Sequence, residues 1–227
     1  MADKNVSNNS LVTEIVFILD RSGSMSGLES DTIGGYNTFL DKQKQENNNA
    51  IISTILFDTR ITVLHDRLDI DSITHLTAHD YQTGGCTALL DAIGGAIKHI
   101  HKLHKNMLTD AIPTKTIFVI ITDGYENSSK NYTYAKIKNM ITKRQDKDGW
   151  EFVFLGANID AAQEAANLGI NKNNAIDYKC DSHGTRLNFE VMSEAMCCFS
   201  LCPEQDFEDI IQEKRSLIDE DIKKRGK

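Results

Sequence analysis

The sequence predicts an α/β fold: a doubly wound, mostly parallel central sheet of about six strands, with one antiparallel edge strand and helices on both faces. Three observations predict it. Four apolar runs, Ile15–Leu19, Ile51–Phe57, Ile117–Ile121 and Phe152–Leu155, are rich in β-branched and aromatic residues and do not alternate, as strands buried on both faces require. Between them lie stretches with apolar residues every three or four positions, the spacing of an amphipathic helix. Strands and helices alternate along the chain, which right-handed crossovers convert into a parallel sheet.

Each element follows from its local pattern. Ile15 to Leu19 is the first strand and ends at Asp20. Ile33, Tyr36, Phe39 and Leu40 share one face of the first helix. Asp58-Thr59-Arg60 separates Ala50–Phe57 from Ile61–His65, a hairpin that adds the antiparallel strand. Leu89, Leu90, Ile93, Ala96, Ile97, Ile100 and Leu103 keep helical rhythm over four turns, the strongest such pattern in the chain. A third helix covers Tyr134 to Lys143. A fourth runs from Ala161 to Leu168, with Asp160 as N-cap, Gln163 completing a capping box and Gly169 as C-cap. Ala175 to Tyr178 is a short last strand. Phe189, Met192, Ala195, Met196 and Phe199 mark one C-terminal helix, and Phe207, Ile210, Ile211, Lys214, Leu217 and Ile218 mark another after Pro203. The organisation expected is a polar tail at 1–10, one α/β domain at 11–180, and helices at 181–227 packed on that domain.

Composition bounds the function. The chain has 227 residues, 40% hydrophobic and 26% charged, with two prolines, as in a soluble globular protein. Its 25 basic and 33 acidic residues leave a net charge of −8, which argues against nucleic acid as partner. No apolar run approaches the roughly 20 residues of a membrane helix. Met1–Ser10 is polar, without the basic-then-apolar layout of a signal peptide, so the expected location is the cytoplasm. Five cysteines, at 86, 180, 197, 198 and 202, have no disulfide-framework spacing and read as free thiols. The oligomeric state is open.

Three short segments fall where an α/β sheet binds ligands, beyond the carboxyl ends of its strands. Asp20-Arg21-Ser22-Gly23-Ser24 follows the first strand, Gly84-Gly85-Cys86-Thr87 precedes the strongest helix, and Thr122-Asp123-Gly124 closes the third apolar strand. Asp20, Ser22, Ser24, Thr87 and Asp123 supply two carboxylates and three hydroxyls. Such hard oxygen donors suit Mg²⁺, Ca²⁺ or Mn²⁺ rather than zinc or copper. Each residue has a plainer reading: Thr87 as a helix cap, Ser24 or Ser26 as the cap of a helix from Leu28, and Asp123-Gly124 as a turn.

Together, Asp-x-Ser-x-Ser, the Thr after Gly-Gly-Cys, and Thr-Asp-Gly resemble a von Willebrand factor A (VWA) domain with its metal-ion-dependent adhesion site, over roughly Leu11 to Tyr178. The resemblance implies a Rossmann-like fold and one divalent cation, usually Mg²⁺, held directly by Ser22, Ser24 and Thr87. By the same resemblance, Asp20 and Asp123 hold it mostly through water. It further implies a partner protein whose exposed Asp or Glu completes the coordination, with Arg21, Gly85, Cys86, Gly124 and Glu126 as the rim, and it places the chain among bacterial or phage cytosolic members, which often work beside ATPases or stress-resistance proteins.

The reading that follows is a metal-dependent protein-binding module without catalytic activity. A metal-assisted phosphoester hydrolase is the main rival, yet Asp20-Arg21-Ser22 lacks the second aspartate of Asp-x-Asp phosphatases. There is also no Gly-x-Ser-x-Gly elbow or P-loop. A structural subunit docking through the C-terminal helices, with Lys223-Lys224-Arg225 as a basic tail, is a third possibility. Cys180, His183, Cys197, Cys198 and Cys202 offer zinc-type ligands, but Cys198 and Cys202 lie in an apolar helix where cysteine acts as a small hydrophobe. His99, His101 and His104, among Lys98, Lys102 and Lys105, read as the solvated end of a helix rather than a metal or phosphate patch.

Overall fold

The computed structural model describes residues 12–46, 49–201 and 205–225. The expected polar tail, two asparagines of the Asn47–Asn49 loop, Cys202 and Pro203 lie outside the described residues. The elements are β1 (Thr13–Asp20), α1 (Glu29–Gln45), β2 (Ala50–Phe57), β3 (Ile61–Asp69), α2 (Leu89–Lys105), β4 (Lys115–Thr122), α3 (Tyr134–Asp148), β5 (Glu151–Gly156), α4 (Ala161–Leu168), β6 (Ala175–Asp177), α5 (Ser182–Leu201) and α6 (Phe207–Arg225). The sheet order is β3-β2-β1-β4-β5-β6. Every neighbouring pair is parallel except β2–β3, which is antiparallel and puts β3 at one edge. The predicted fold class is therefore the observed one.

Alternation along the central strands divides the core in two. Ile15, Phe17 and Leu19 of β1 face α1, α5 and α6, where Tyr36, Phe39, Phe189, Met192, Ile210 and Ile211 cover them. Val16 and Ile18 face α2, α3 and α4, against Ile93, Ile97, Ile137 and Ile141. Each such side chain contributes roughly 1.5–3 kcal/mol on burial, so both sheet faces need their helices. Phe207, Ile210, Ile211 and Ile218 turn the α6 stripe inward, whereas Leu217, read from sequence as part of that stripe, is exposed. No helix of the described residues is long and apolar enough to cross a membrane.

Local chemistry sets the element ends. Asp160 accepts the Gln163 N–H at 2.8 Å and caps α4, and Gly169 closes it in the left-handed region at φ 86°. The capping box is half made: the Gln163 side chain reaches forward to Asn167 Oδ1 at 3.0 Å instead of back to the cap. One α2 histidine departs from a solvated helix end. His104 is buried and bonds the wholly buried Glu14 carboxylate at 2.6 Å, which Arg67 also approaches to 2.7 Å. A buried carboxylate needs such partners, because an uncompensated charge there costs several kcal/mol.

Candidate metal centre

Three loops meet at the carboxyl edge. Asp20 ends β1 opposite Phe57 of β2, and Thr122 ends β4. The Arg21 N–H donates to Phe57 O at 2.8 Å, Gly84 N–H to Arg21 O at 2.9 Å, and Gly23 N–H to Gly85 O at 3.1 Å. Asn127 N–H donates to Thr87 O at 3.0 Å and ties the loop after β4 to the start of α2. Gly85 sits at φ 74°, and a Cβ there would lie 2.8 Å from Thr59 Oγ1. Only glycine fits a position that is both left-handed and crowded.

Within this frame the oxygens converge. Ser22 Oγ lies 3.1 Å from Ser24 Oγ, and Ser24 donates to Asp123 Oδ1 at 2.5 Å. A Cβ on Gly124 would stand 3.5 Å from Ser24 Oγ and 3.6 Å from Thr87 Oγ1, so both hydroxyls front the same glycine backbone. Asp20, Ser22, Thr87 and Asp123 are buried, and Ser24 is exposed above them. The Asp20 carboxylate accepts the Ser22 N–H at 2.7 Å and the Thr122 hydroxyl at 2.5 Å. Tyr81 donates its phenol to the Asp20 carbonyl from below.

The plainer readings of the hydroxyls do not describe this geometry. α2 begins at Leu89 after Ala88, whose own side chain caps nothing, and α1 begins at Glu29 after Leu28, whose side chain caps nothing either. The Thr87 amide is held by Asn127 Oδ1 at 2.8 Å, which leaves its hydroxyl facing Gly124. α2 is capped by Glu126, whose carboxylate accepts the Leu90 N–H at 2.9 Å. The same carboxylate also takes the Ser128 and Ser129 amides at 2.8 and 2.7 Å and the Ser129 hydroxyl at 2.8 Å.

Two of the residues expected at the rim are engaged within the fold. Four donors surround Glu126, which organises its loop and is not free to meet a ligand. Arg21 is turned aside as well: it pairs with Asp58 at 3.0 Å and donates to Thr62 at 2.9 Å, so its charge is neutralised behind the loop. Gly85 and Cys86 are exposed at the rim, and Gly124 is half-buried among the hydroxyls. Asn127 and Tyr81 are not singled out by the sequence, and Cys180 is singled out only as a zinc-type ligand. Asn127 lies four residues after Asp123 and was within reach of a sequence argument, whereas Tyr81 and Cys180 reach the edge only through tertiary structure.

Burial pushes the Asp20 carboxyl up to about 6, against the opposing effect of the Thr122 and Ser22 hydrogen bonds and with help from the nearby Asp123 charge. A buried pair of carboxylates with three hydroxyls is short of positive charge. A hard divalent cation would supply it, and the all-oxygen donor set fits such an ion. Among the described residues, no group of three or more His, Cys, Asp and Glu is placed to hold a metal, so a site here relies on its serine and threonine oxygens. Described members of the zinc-type set have other partners. The Cys180 thiol stands 3.7 Å from Asp123 Oδ2, and burial and then Asp123 push its pKa up to about 11. Cys197 accepts from Gln43 at 3.2 Å, and His183 pairs with Asp221 at 3.2 Å.

A model of the family described as "VWA domain containing CoxE-like protein" matches residues 7–147. No curated protein sequence matches the chain. Among solved structures, the pilus adhesin SpaC from Lactobacillus rhamnosus GG is similar with a TM-score of 0.62 at 12% identity, over 82% of this chain and 30% of that one. Proximal thread matrix protein 1 from the mussel byssus, described with a zinc-occupied MIDAS motif, gives 0.53 at 15% identity, over 83% and 46%. A von Willebrand factor type A protein from Catenulispora acidiphila gives 0.52 at 14% identity, over 81% and 42%. These likenesses are likenesses of fold, and the chain spans less than half the length of each of these three proteins.

Proposed function

The chain belongs to the family of VWA domain containing CoxE-like proteins, and from that premise we propose that it is a metal-dependent protein-binding module, presenting a divalent cation to an acidic side chain of a partner. The observation that carries the reading is the cluster of Ser22, Ser24, Thr87 and Asp123 around Gly124, whose hydroxyls are not consumed as helix caps. Ser22, Ser24 and Thr87 would hold the ion directly, and Asp20 and Asp123 would support it from behind. When bound, the cation supplies a coordination position that a partner's Asp or Glu can fill. Mg²⁺ is the ion proposed, with Ca²⁺ or Mn²⁺ as substitutes; the zinc in the mussel protein supports divalent occupancy of such a motif in that relative.

The chain's own residues favour binding over turnover. Asp20 is locked by two donors and Glu126 by four, so neither carboxylate is poised to take a proton from a water or substrate. The C-terminal helices turn their apolar faces onto the sheet, which gives docking through them less support.

A pull-down from native lysate with the tagged chain in Mg²⁺, with an Asp20→Ala chain and an EDTA wash as controls, tests the reading. The expected result is a partner retained by the first and released by both controls. Capture that survives EDTA, or steady Mg²⁺-dependent hydrolysis of a phosphate ester lost in Asp20→Ala, would overturn it.

A further inference from the structure

We propose that a cavity at the amino edge of the sheet, at the opposite pole from the metal centre, is a binding site for a small organic anion, a carboxylate on a compact apolar body. The cavity has a volume of about 330 Å³, within the range of small-ligand pockets. It lies over the starts of β4 and β5, beside the C-terminal ends of α2 and α3. Thr116, the second residue of β4, and Trp150, directly before β5, line it together with Lys105 of α2.

Two unpaired donors belong to this lining. Trp150 and Thr116 are each 3% exposed, yet neither the indole N–H nor the hydroxyl has a hydrogen-bond partner among the described residues. Leaving a polar group unpaired in a nearly closed site is unfavourable, and an acceptor held in the cavity relieves it for both. The indole N–H can only donate, so it calls for an acceptor and not for a cation. One face of the ring is stacked on Phe118 at 5.2 Å, which leaves the edge for a ligand to meet.

The charges agree. Lys105 is exposed and has no ion-pair partner among the described residues, whereas Asp148, the carboxylate of the lining, is paired with Arg144. The buried Glu14, opposite Thr116 in register, is already matched by His104 at 2.6 Å and Arg67 at 2.7 Å. The carbonyls of Lys102, Leu103 and His104 at the end of α2 are taken by Asn106 and Met107, which leaves little there for a cation. Ile112 and Pro113 supply an apolar wall for the body of the ligand.

Trp150 is the only tryptophan of the chain, so its fluorescence reports on this cavity. Benzoate is titrated into the full chain in EDTA, which keeps a cation at the opposite edge from capturing the carboxylate. Benzamide, benzylamine and inorganic phosphate are the comparisons. Benzoate should change the Trp150 emission saturably, and each comparison should bind about tenfold more weakly or worse. Thr116→Val keeps the shape and removes the hydroxyl; it should weaken benzoate about tenfold and leave the melting temperature unchanged or higher. Lys105→Gln, at an exposed position, should weaken it about threefold. No saturable response to benzoate, equal binding of any of the three comparisons, or an affinity that neither substitution moves overturns the site.

Discussion

At the scale of single residues, Asp20 is held where its charge is least welcome. Its folded pKa of about 6 lies above the ordinary 3.8, so the native state binds a proton more tightly than the unfolded chain does. The contribution of Asp20 to metal-free stability is therefore most favourable below pH 3.8, falls as the pH rises toward 6, and is flat above that. Asp20→Asn keeps the shape and removes the charge. It should raise metal-free stability at pH 8 by roughly 3 kcal/mol and change it little at pH 3. Urea unfolding at the two pH values decides the matter: an equal gain at both would mean that something other than ionisation is being relieved. The place of Asp20 at the carboxyl edge was legible because it sits directly after an unbroken apolar strand. Its elevated pKa was not, because that depends on burial and on the charge of Asp123, both of which only the folded chain supplies.

At the scale of elements, the loop after β4 and the first turn of α2 are one unit. Glu126 reaches the Leu90 amide and also holds the Ser128 and Ser129 amides, and Asp91 of α2 returns the favour by accepting the Lys130, Asn131 and Tyr132 amides at 3.0, 2.9 and 3.0 Å. Glu126→Ala should therefore cost about 1–2 kcal/mol, as loss of a helix cap does. It should leave divalent-ion affinity within a few-fold of wild type, because the carboxylate does not face the hydroxyl cluster. A large loss of Mg²⁺ binding with unchanged melting would restore Glu126 to the rim. Sequence pattern found the central strands, since burial on both sheet faces leaves an unbroken apolar run, while the edge strand β3 was legible through the Asp58-Thr59-Arg60 turn. It did not find which carboxylate caps which helix: a Glu three residues beyond Asp123 has the same local appearance whether it points to a ligand or to Leu90. The same limit applies to α5. Its apolar pattern was readable, but its fit against α1 rests on Gly35, where a Cβ would meet the Phe189 ring at 2.4 Å.

At the scale of the whole molecule, the ion and the fold share one equilibrium. A cation that binds the folded chain and not the unfolded one adds RT ln(1 + [L]/Kd) to stability. Above the dissociation constant this is about 1.4 kcal/mol for every tenfold rise in free ion, whatever the affinity. A domain of this size shifts its melting temperature by about 2–4 °C per kcal/mol, so a plot of Tm against log[Mg²⁺] should climb by about 3–6 °C per decade once the site fills. The acidity of the chain complicates the measurement, because a net charge of −8 gathers cations loosely over the whole surface. Thr87→Ala separates the two effects. It leaves the overall charge untouched and removes a hydroxyl that caps nothing, so its metal-free Tm should stay close to wild type while the specific slope disappears. The slope should also fade below pH 6, where protonation of Asp20 competes with the ion. A Thr87→Ala chain that climbs with Mg²⁺ as steeply as wild type would assign the stabilisation to surface screening and remove the hydroxyl cluster as its source.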